Sequence, residues 1–346
     1  MLEKFDKPNR FVHRWLLTRA GQVAALKTGW EWPDYLCAAA VRLGIDRNRY
    51  LVTPGLYAVG TPGPESPVLV TANYKLTLDV VRRDIRGLDA WILVLDTKGV
   101  NVWCAAGKGT FSTAALVRRI QMVGLEKVVN HRVLIVPQLG ATGVAAHEVK
   151  KTSGFRVVFG PVRSKDIKAF VQAGMQATPQ MRQVGFSPGE RLTVALVECS
   201  RGIKLLGLTL VVLFLIAGVG TDFFSWGRAW HGVRFGFVIL LLGFIAGNFL
   251  TPLLLPWLPG RAFSQKGAEA GAITGLFLLT ILNTGAVLGL GVLLGVIAIG
   301  SWYGMQFTGA STYTSPTGVE KEMRLAIPWQ IGVAISSLIL WRVGIC

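Results

Sequence analysis

The sequence is poor in cysteine, and its few cysteines are far apart. The 346 residues contain four of them, Cys37, Cys104, Cys199 and Cys346, and no two are spaced as CxxC. This spacing excludes a zinc ribbon and predicts no Fe–S cluster held by this chain alone. It also argues against a framework of disulfide bonds, which favours a reducing, cytosolic setting for any soluble part.

The chain is also poor in charge, and what charge it has is unevenly distributed. Charged residues make up 16% of the sequence, whose mean hydropathy of +0.48 is too high for an ordinary soluble protein. Through Ser200 there are 27 Lys and Arg and 15 Asp and Glu residues, and only nine and four follow. We therefore predict a normally charged globular part followed by a membrane part.

Acidic residues are outnumbered, and the formal net charge is +17. The excess agrees with the positive-inside rule of membrane proteins and with attraction of an anionic cofactor or an acidic partner. Binding to nucleic acid is not predicted, because no Lys/Arg cluster is interleaved with aromatic residues. The first 15 residues are charged and lack an apolar stretch, so we predict no signal peptide.

The globular part alternates between strand and helix patterns. We predict strands at 67–74, 90–97, 131–140, 155–161 and 191–199, and helices at 76–88, 111–125, 144–154 and 164–175. This rhythm indicates an α/β fold with a mainly parallel, doubly wound sheet, which binds ligands at the carboxyl ends of its strands. The predicted domains are an N-terminal segment packing on the soluble domain, that soluble domain and a transmembrane domain, at 1–60, 61–200 and 201–346.

The last part contains uncharged stretches long enough to cross a bilayer. We predict an all-α domain of about five spans, near 203–221, 234–256, 269–283, 285–303 and 326–344. Four spans are the alternative, if 270–302 forms one long tilted or partly re-entrant helix. Six Lys and Arg residues fall on the side of the globular part and three on the other. This bias predicts a multi-pass protein of the cytoplasmic membrane with its soluble domain in the cytoplasm. No buried charge is expected in the spans, which argues against ion transport.

One motif, "NVWCAAGK", follows the second predicted strand. Asn101 is a good N-cap, which places Cys104 in the first turn of a helix. The helix N-terminus and Lys108, four residues on, favour the thiolate form of a cysteine. The next three residues are small, so a large flat ligand could lie beside the sulfur. The alternative is that Cys104 is a small buried hydrophobe beneath Trp103.

Three further strand ends carry candidate ligand contacts. Hydroxyl and amide side chains follow the first strand, and small residues follow the third and fourth. They could bind a ligand's polar groups or allow close approach of the backbone, although ordinary turns explain the glycines as well. The candidates are Thr71, Asn73, Thr77, Gly140, Ala141, Thr142, Gly143, Gly160, Pro161 and Ser164.

The motif "NVWCAAGK" resembles the cap-helix motif of the membrane-bound corrinoid proteins of anaerobic mercury methylation. "SPVLVTANYKLTLD", "HRVLIVPQLGATGVAAHEVKK" and "GFRVVFGPVRSKDIKAF" resemble the same family's corrinoid domain, and "TYTSPTGVEKEMR" its membrane tail. The resemblance covers the chain from about Tyr50 onward. The corrinoid domain is also similar to the large subunit of the corrinoid iron–sulfur protein of the acetyl-CoA pathway. That family has an N-terminal four-cysteine motif and no membrane tail, so it is the poorer match.

The resemblance implies a Rossmann-like domain that binds cobalamin or a related cobamide, with Cys104 as the lower axial ligand of cobalt. A soft thiolate donates electron density, which suits methyl transfer from methyl-Co(III) to Hg(II), giving methylmercury. The implied cofactor-binding residues around it are Asn101, Val102, Trp103, Ala105, Ala106, Gly107 and Lys108.

The resemblance also implies partners. They are a ferredoxin-like [4Fe–4S] protein as reductant and a methyltetrahydrofolate-dependent methyl donor. Two alternatives stay open at this point. One is a corrinoid methyl carrier in general one-carbon metabolism. The other is a membrane-anchored module that binds a nucleotide-like ligand.

Overall fold

The computed structural model describes residues 10–221, 223–282, 284–310 and 316–345. The chain divides into two compact units, Met1–Val184 and Gly185–Cys346. The first unit is an α/β unit, and the second unit is helical. The two predicted structural classes are therefore both present.

The described part of the α/β unit contains seven strands and six α-helices. The strands are β1 Val12–Thr18, β2 Gly21–Leu26, β3 Gly55–Val59, β4 Val68–Ala72, β5 Ala90–Leu95, β6 Val133–Val136 and β7 Arg156–Phe159. The helices are α1 Trp32–Arg42, α2 Lys75–Asp84, α3 Val102–Gly107, α4 Thr113–Met122, α5 Ala146–Ser153 and α6 Ile167–Gln172. Short 3₁₀ turns lie at Arg47–Arg49, Leu125–Lys127, Gln138–Gly140, Ser164–Asp166 and Gln180–Arg182.

The strands form one mixed sheet in the order β1-β2-β3-β5-β4-β6-β7. The four strands β5, β4, β6 and β7 are parallel, while β3 runs antiparallel to β5. Within the parallel part the chain winds outward in both directions from β4. The gap between the carboxyl ends of β4 and β6 is therefore the topological switch point, where doubly wound sheets bind their ligands.

The central strands are covered on both faces, which explains their unbroken apolar sequences. Every residue of β4 and β5 is buried. One face packs on α4 and α5, through residues such as Leu116 and Val149. The other face packs on α2 and α6, through residues such as Leu78 and Phe170. The continuous apolar runs of the sequence thus form parallel strands that are covered on both faces, as predicted.

The first 60 residues, predicted to pack on the soluble domain, also contribute strands to its sheet. Their strands β1, β2 and β3 extend the sheet, with β2 parallel to β3 and antiparallel to β1. The β1–β2 hairpin turns at Gly21, whose φ of +111° favours glycine. The segment also contains the helix α1.

The predicted fifth strand at 191–199 is wrong, because these residues lie in a helix. This helix, α7, runs from Pro188 to Gly218. Its start has a capping box, in which Ser187 accepts from the Glu190 amide and Glu190 accepts from the Ser187 amide. The serine, proline and glutamate outweigh the strand-like apolar run that follows. The boundary between the two units lies between Val184 and Gly185 in the sequence, before the predicted boundary at 200.

The helical unit continues after α7. Its other helices are α8 Trp226–Ile245, α9 Thr251–Leu253, α10 Phe263–Ile281, α11 Ala286–Gln306 and α12 Pro316–Ile345. A π-helical turn, Ala246–Leu250, joins α8 to α9, and a 3₁₀ turn, Phe307–Ala310, follows α11. The region 270–302 thus forms two helices and not one long helix. Residue 283, at the end of the predicted span 269–283, lies outside the described residues, as do 311–315, which overlap the "TYTSPTGVEKEMR" segment, and Cys346.

Four of the described helical segments are long and apolar enough to cross a membrane. They are Pro188–Gly218, Trp226–Leu253, Ala286–Gly309 and Thr317–Gly344. The remaining long helix, α10, contains the predicted span 269–283 up to Ile281. Its first turns include Lys266 and Glu269, which lower its hydropathy.

A buried charge lies at the start of α10, three residues before the predicted span 269–283. Lys266 is 9% exposed, and its amine donates hydrogen bonds to the carbonyl oxygens of Leu255 and Leu258. The helix then packs closely on α11 through glycines. A Cβ on Gly267 would lie 2.3 Å from the Gly300 oxygen, so only glycine permits this approach.

Candidate functional site

A cavity of about 390 Å³ lies at the switch point of the sheet. It is bounded by the ends of β4 and β6, by α2, by the start of α3 and by the segment that follows β7. We call it the switch-point cavity. Its lining residues are Arg42, Leu69, Val70, Thr71, Tyr74, Leu76, Thr77, Val80, Val81, Asn101, Val102, Trp103, Ile135, Pro137, Leu139, Gly160, Pro161, Val162, Ser164 and Ile167.

Eight of the sequence-predicted contacts meet in this cavity. They are Thr71, Thr77, Asn101, Val102, Trp103, Gly160, Pro161 and Ser164. They come from three distant segments of the chain, which the sheet brings to one edge. The other predicted contacts do not line the cavity: Asn73, Cys104, Ala105, Ala106, Gly107, Lys108, Gly140, Ala141, Thr142 and Gly143.

Thr71 presents a polar atom to the cavity that nothing in the described residues satisfies. The residue is 2% exposed, and its Oγ1 has no hydrogen-bond partner in that part of the chain. Leaving a buried hydroxyl unpaired is unfavourable. The hydroxyl is therefore available to a ligand's amide or phosphate, and it is the best-supported single contact in the cavity.

The short helix α3 closes one side of the cavity, and its predicted N-cap is confirmed. The Asn101 side chain accepts a hydrogen bond from the Cys104 amide at 2.9 Å. Val102, Ala105 and Ala106 are buried beneath the helix. We call α3 the cap helix from here on.

Cys104 is exposed in the first turn of the cap helix. The alternative that it is a buried hydrophobe is therefore wrong. The neighbouring Trp103 is 41% exposed and lines the cavity. Cys104 thus follows a residue of the cavity wall in the sequence, and its exposure leaves it accessible to a ligand larger than the cavity.

Asn73 holds the loop that leads into the cap helix. Its Oδ1 accepts from the Thr97 amide at 3.0 Å, the Thr97 hydroxyl at 2.8 Å and the Gly99 amide at 3.0 Å. The side chain is 2% exposed. Its oxygen is thus fully used within the protein, so it fixes the position of the cap helix. This differs from the ligand contact expected from the sequence.

The glycines after β6 also support the cap helix. A Cβ on Gly140 would lie 2.6 Å from the Phe111 ring, and one on Gly143 would lie 2.1 Å from the Phe111 carbonyl oxygen. Real Cβ atoms do not approach so closely. The space that these glycines leave is filled by Phe111, which follows the cap helix, so their absent side chains are explained without a ligand.

Helix α2 presents one face to the cavity and carries a buried ionic network on another. Asp79 accepts from the Lys75 amine at 2.9 Å, from Arg82 Nε at 2.8 Å and from the Tyr50 hydroxyl at 3.1 Å. The side chains of Lys75, Asp79 and Arg82 are no more than 3% exposed. A buried charge is costly unless it is paired and hydrogen-bonded, and here each one is.

Arg82 links this network to the N-terminal part of the chain. It donates to Asp34 of α1 at 3.0 Å and to the Lys27 carbonyl oxygen at 2.6 Å. These bonds fix α2 to the N-terminal part of the chain. We missed this network in the sequence, although the spacing Lys75, Asp79, Arg82 puts the three charges on one helix face.

Twelve of the twenty lining residues were not predicted from the sequence, and two of these twelve, Arg42 and Tyr74, have polar side chains. Arg42, at the end of α1, adds positive charge to the cavity wall. Tyr74, the N-cap residue of α2, is 6% exposed, and burial raises the pKa of its phenol. The phenol therefore stays neutral near pH 7. No signal in the sequence placed the N-terminal helix at this edge, because the contact depends on the topology of the whole sheet.

Known proteins match part of this chain, and the family match lies within the α/β unit. Residues 46–171 match the family described as CO dehydrogenase/acetyl-CoA synthase delta subunit. The gamma subunit of the acetyl-CoA decarbonylase/synthase complex of Archaeoglobus fulgidus is 36% identical over 128 residues, 36% of this chain and 27% of the relative. That of Methanothermobacter thermautotrophicus is 35% identical over 161 residues, 45% of this chain and 34% of the relative.

The family match covers most of the elements that bound the switch-point cavity, from β4 to the residues of α6 up to Val171. The chain spans about a quarter to a third of the length of these curated relatives. The matches support the resemblance to the corrinoid protein of the acetyl-CoA pathway, which ranked second on the sequence alone. They give no support to mercury methylation.

Proposed function

We propose that the α/β unit binds a corrinoid and serves as a methyl carrier in methyl transfer. The observation that carries this proposal is the switch-point cavity, with its unpaired Thr71 hydroxyl and its adjoining cap helix. The relatives are subunits of complexes named for acetyl-CoA decarbonylase and synthase, in line with such a role.

The residues present fit a corrinoid, which is a flat macrocycle edged with amides and joined to a nucleotide tail. The cavity is large enough for part of the tail but not for the whole cofactor, so the ring would lie outside it, against the cap helix. Thr71 would donate to a polar group within the cavity, and Arg42 would attract the phosphate. Ala105, Ala106 and Gly107 leave little bulk beside the ring. A bound corrinoid supplies a cobalt centre that accepts and releases methyl groups.

The second candidate function is methyl transfer to Hg(II) as substrate, and the exposure of Cys104 favours it. An exposed cysteine on the cap helix could donate its sulfur to cobalt as the lower axial ligand. A thiolate is soft and strongly donating, which suits release of the methyl group to an electrophile such as Hg(II). In this proposal Cys104 is the catalytic residue, and Asn101 holds the turn that presents it.

The partners and location are part of the same proposal. The carrier would be reduced by a ferredoxin-like [4Fe–4S] protein and methylated by a methyltetrahydrofolate-dependent donor. The four apolar helical segments would anchor it in the cytoplasmic membrane, with the α/β unit in the cytoplasm. The second unit then keeps the carrier close to other membrane-bound or membrane-associated components.

The proposal is tested on the full chain, purified anaerobically with hydroxocobalamin. We expect a corrinoid absorption band that shifts in Cys104→Ala and does not shift in the matched control Cys199→Ala. An identical band in all three proteins would show that Cys104 does not ligate the cobalt. It would leave corrinoid binding at the site unaffected.

The acceptor is tested in a separate assay. The purified chain is loaded with methylcobalamin, given Hg(II) and monitored for methylmercury. The Hg(II) candidate predicts that Cys104→Ala loses at least tenfold in rate, while Cys199→Ala keeps the rate. An unchanged rate in Cys104→Ala would exclude the mercury function and leave the general methyl carrier.

A further inference from the structure

The helical unit contains a groove that the proposed methyl-transfer function does not use. Its volume is about 390 Å³, and its walls come from α7, α8, α11 and α12. Small residues form much of its floor, including Gly236, Gly295 and Ala298. We call it the α7–α12 groove. Its apolar walls and narrow floor would admit a linear hydrocarbon chain.

Three polar atoms of the residues lining this groove are buried without a partner. They are the indole N–H of Trp302, the amide oxygen of Gln330 and the indole N–H of Trp341, and none has a hydrogen-bond partner among the described residues. Gln330 is 4% exposed and Trp341 is 2% exposed. Each unpaired polar group in an apolar setting is costly, and several in one cavity indicate a ligand that pairs with them.

The other polar groups of the lining already have partners. The Ser337 hydroxyl donates to the Gly291 oxygen at 2.7 Å, and the Tyr303 hydroxyl donates to the Gly202 oxygen at 3.3 Å. No Asp, Glu, Lys, Arg or His is among the described residues that line the groove. A charged ligand would therefore lack a counter-ion, so the groove suits a neutral one.

The unpaired atoms lie at two levels of the groove. The Gln330 amide donates to the Ser301 hydroxyl at 2.9 Å, which leaves its oxygen as an acceptor. Trp302 is the next residue of α11, so one end of a ligand could reach both this acceptor and the Trp302 donor. Trp341 is three turns further along α12, about 16 Å away at the α-helical rise. A hydroxyl matches the first level, since it both donates and accepts, and any oxygen acceptor matches the second.

We propose that the α7–α12 groove binds a neutral long-chain lipid that carries oxygen at two positions. A hydroxyl at one end accepts from Trp302 and donates to Gln330. An oxygen further along the chain accepts from Trp341. The apolar chain between them lies on the glycine and alanine floor. The proposal is independent of the corrinoid, because it uses only residues of the helical unit.

The test uses the full chain in maltoside micelles, dodecane-1,12-diol as the probe and native mass spectrometry as the readout. We expect a one-to-one complex with the diol, weaker binding of 1-dodecanol and no complex with dodecane. Each lost hydrogen bond should weaken binding by up to about tenfold. Equal binding of dodecane and the diol would overturn the proposal without the use of any variant.

The variants assign the two ends of the ligand. Gln330→Leu and Trp302→Phe should each weaken diol binding by about tenfold. Trp341→Phe should lower the affinity for the diol to that for 1-dodecanol. The matched control is Trp329→Phe, since Trp329 lies on α12 outside the groove lining and is 46% exposed. Unchanged diol binding in Gln330→Leu and Trp302→Phe, with native circular dichroism, would contradict the proposal.

Discussion

At the scale of single residues, the site depends on a few side chains that act through the cap helix. The Thr71 hydroxyl has no hydrogen-bond partner among the described residues and is available to a ligand in the cavity. The side-chain oxygen of Asn73, two residues on, accepts hydrogen bonds from the loop before the cap helix. Asn73 lies just beyond the end of β4, so strand alternation does not set the direction of its side chain, which bonds the loop instead. A contact list drawn from the sequence cannot separate them.

Replacing Asn73 by Ala removes three accepted hydrogen bonds and leaves the buried Thr97 and Gly99 groups without their partner. We expect a loss of about 2–3 kcal/mol in the free energy of unfolding. Asn130→Ala is the control, because Asn130 is exposed and donates one bond to Glu65. Its cost should stay within about 0.5 kcal/mol. Denaturant titration of both variants measures the difference, and equal costs would show that Asn73 does not hold the loop.

Gly143→Ala tests the support of the cap helix. The added methyl group would overlap the Phe111 carbonyl oxygen, so the segment after the cap helix must move. We expect at least fivefold weaker binding of hydroxocobalamin. Gly63→Ala is the control, since nothing lies within 4 Å of a Cβ there. If both variants bind hydroxocobalamin like the unsubstituted chain, the packing of Phe111 is not needed for the site.

At the scale of elements, much of the α/β unit follows from local pattern. The strands β4 to β7 and the helices between them were predicted because continuous apolar runs alternate with helical periodicity. The Asn101 cap was predicted because its side chain needs only neighbours in the sequence. The failure at 191–199 has a local cause, since an apolar run of that length suits a strand and a helix equally well. The deciding signal was the capping box just before it.

The ionic network under α2 could not be predicted in the same way. Its partners Asp34 and Tyr50 belong to a segment whose place in the sheet is set by long-range pairing of β2 with β3. Tertiary contacts of this kind leave no periodic trace in the sequence. The contribution of Arg42 to the cavity wall could not be predicted either, because it too depends on long-range contacts.

Asp79→Asn tests how strongly the network holds α2. The substitution removes the buried negative charge that Lys75 and Arg82 share, so we expect a loss of about 3–5 kcal/mol in the free energy of unfolding. Glu31→Gln is the control, because Glu31 forms exposed pairs with Arg10 and Lys27. We expect no measurable change there. Thermal unfolding followed by circular dichroism separates the two, and a stable Asp79→Asn protein would show that the network is dispensable.

At the scale of the whole molecule, the chain combines an α/β unit with a helical unit of different composition. Most of the positive charge belongs to the first, and four helical segments of the second are apolar enough to cross a membrane. The match to the family described as CO dehydrogenase/acetyl-CoA synthase delta subunit falls on the first unit. The proposed carrier is therefore a corrinoid-binding unit joined to a helical unit with a ligand groove of its own.

The central claim is that a corrinoid binds at the switch-point cavity, and an anaerobic titration of the full chain with hydroxocobalamin tests it. Thr77→Trp places an indole on the face of α2 that lines the cavity. Met122→Trp is the control, on α4 at a position 61% exposed. We predict a one-to-one complex that Thr77→Trp weakens at least tenfold and Met122→Trp leaves unchanged. The same dissociation constant for all three proteins would contradict the account.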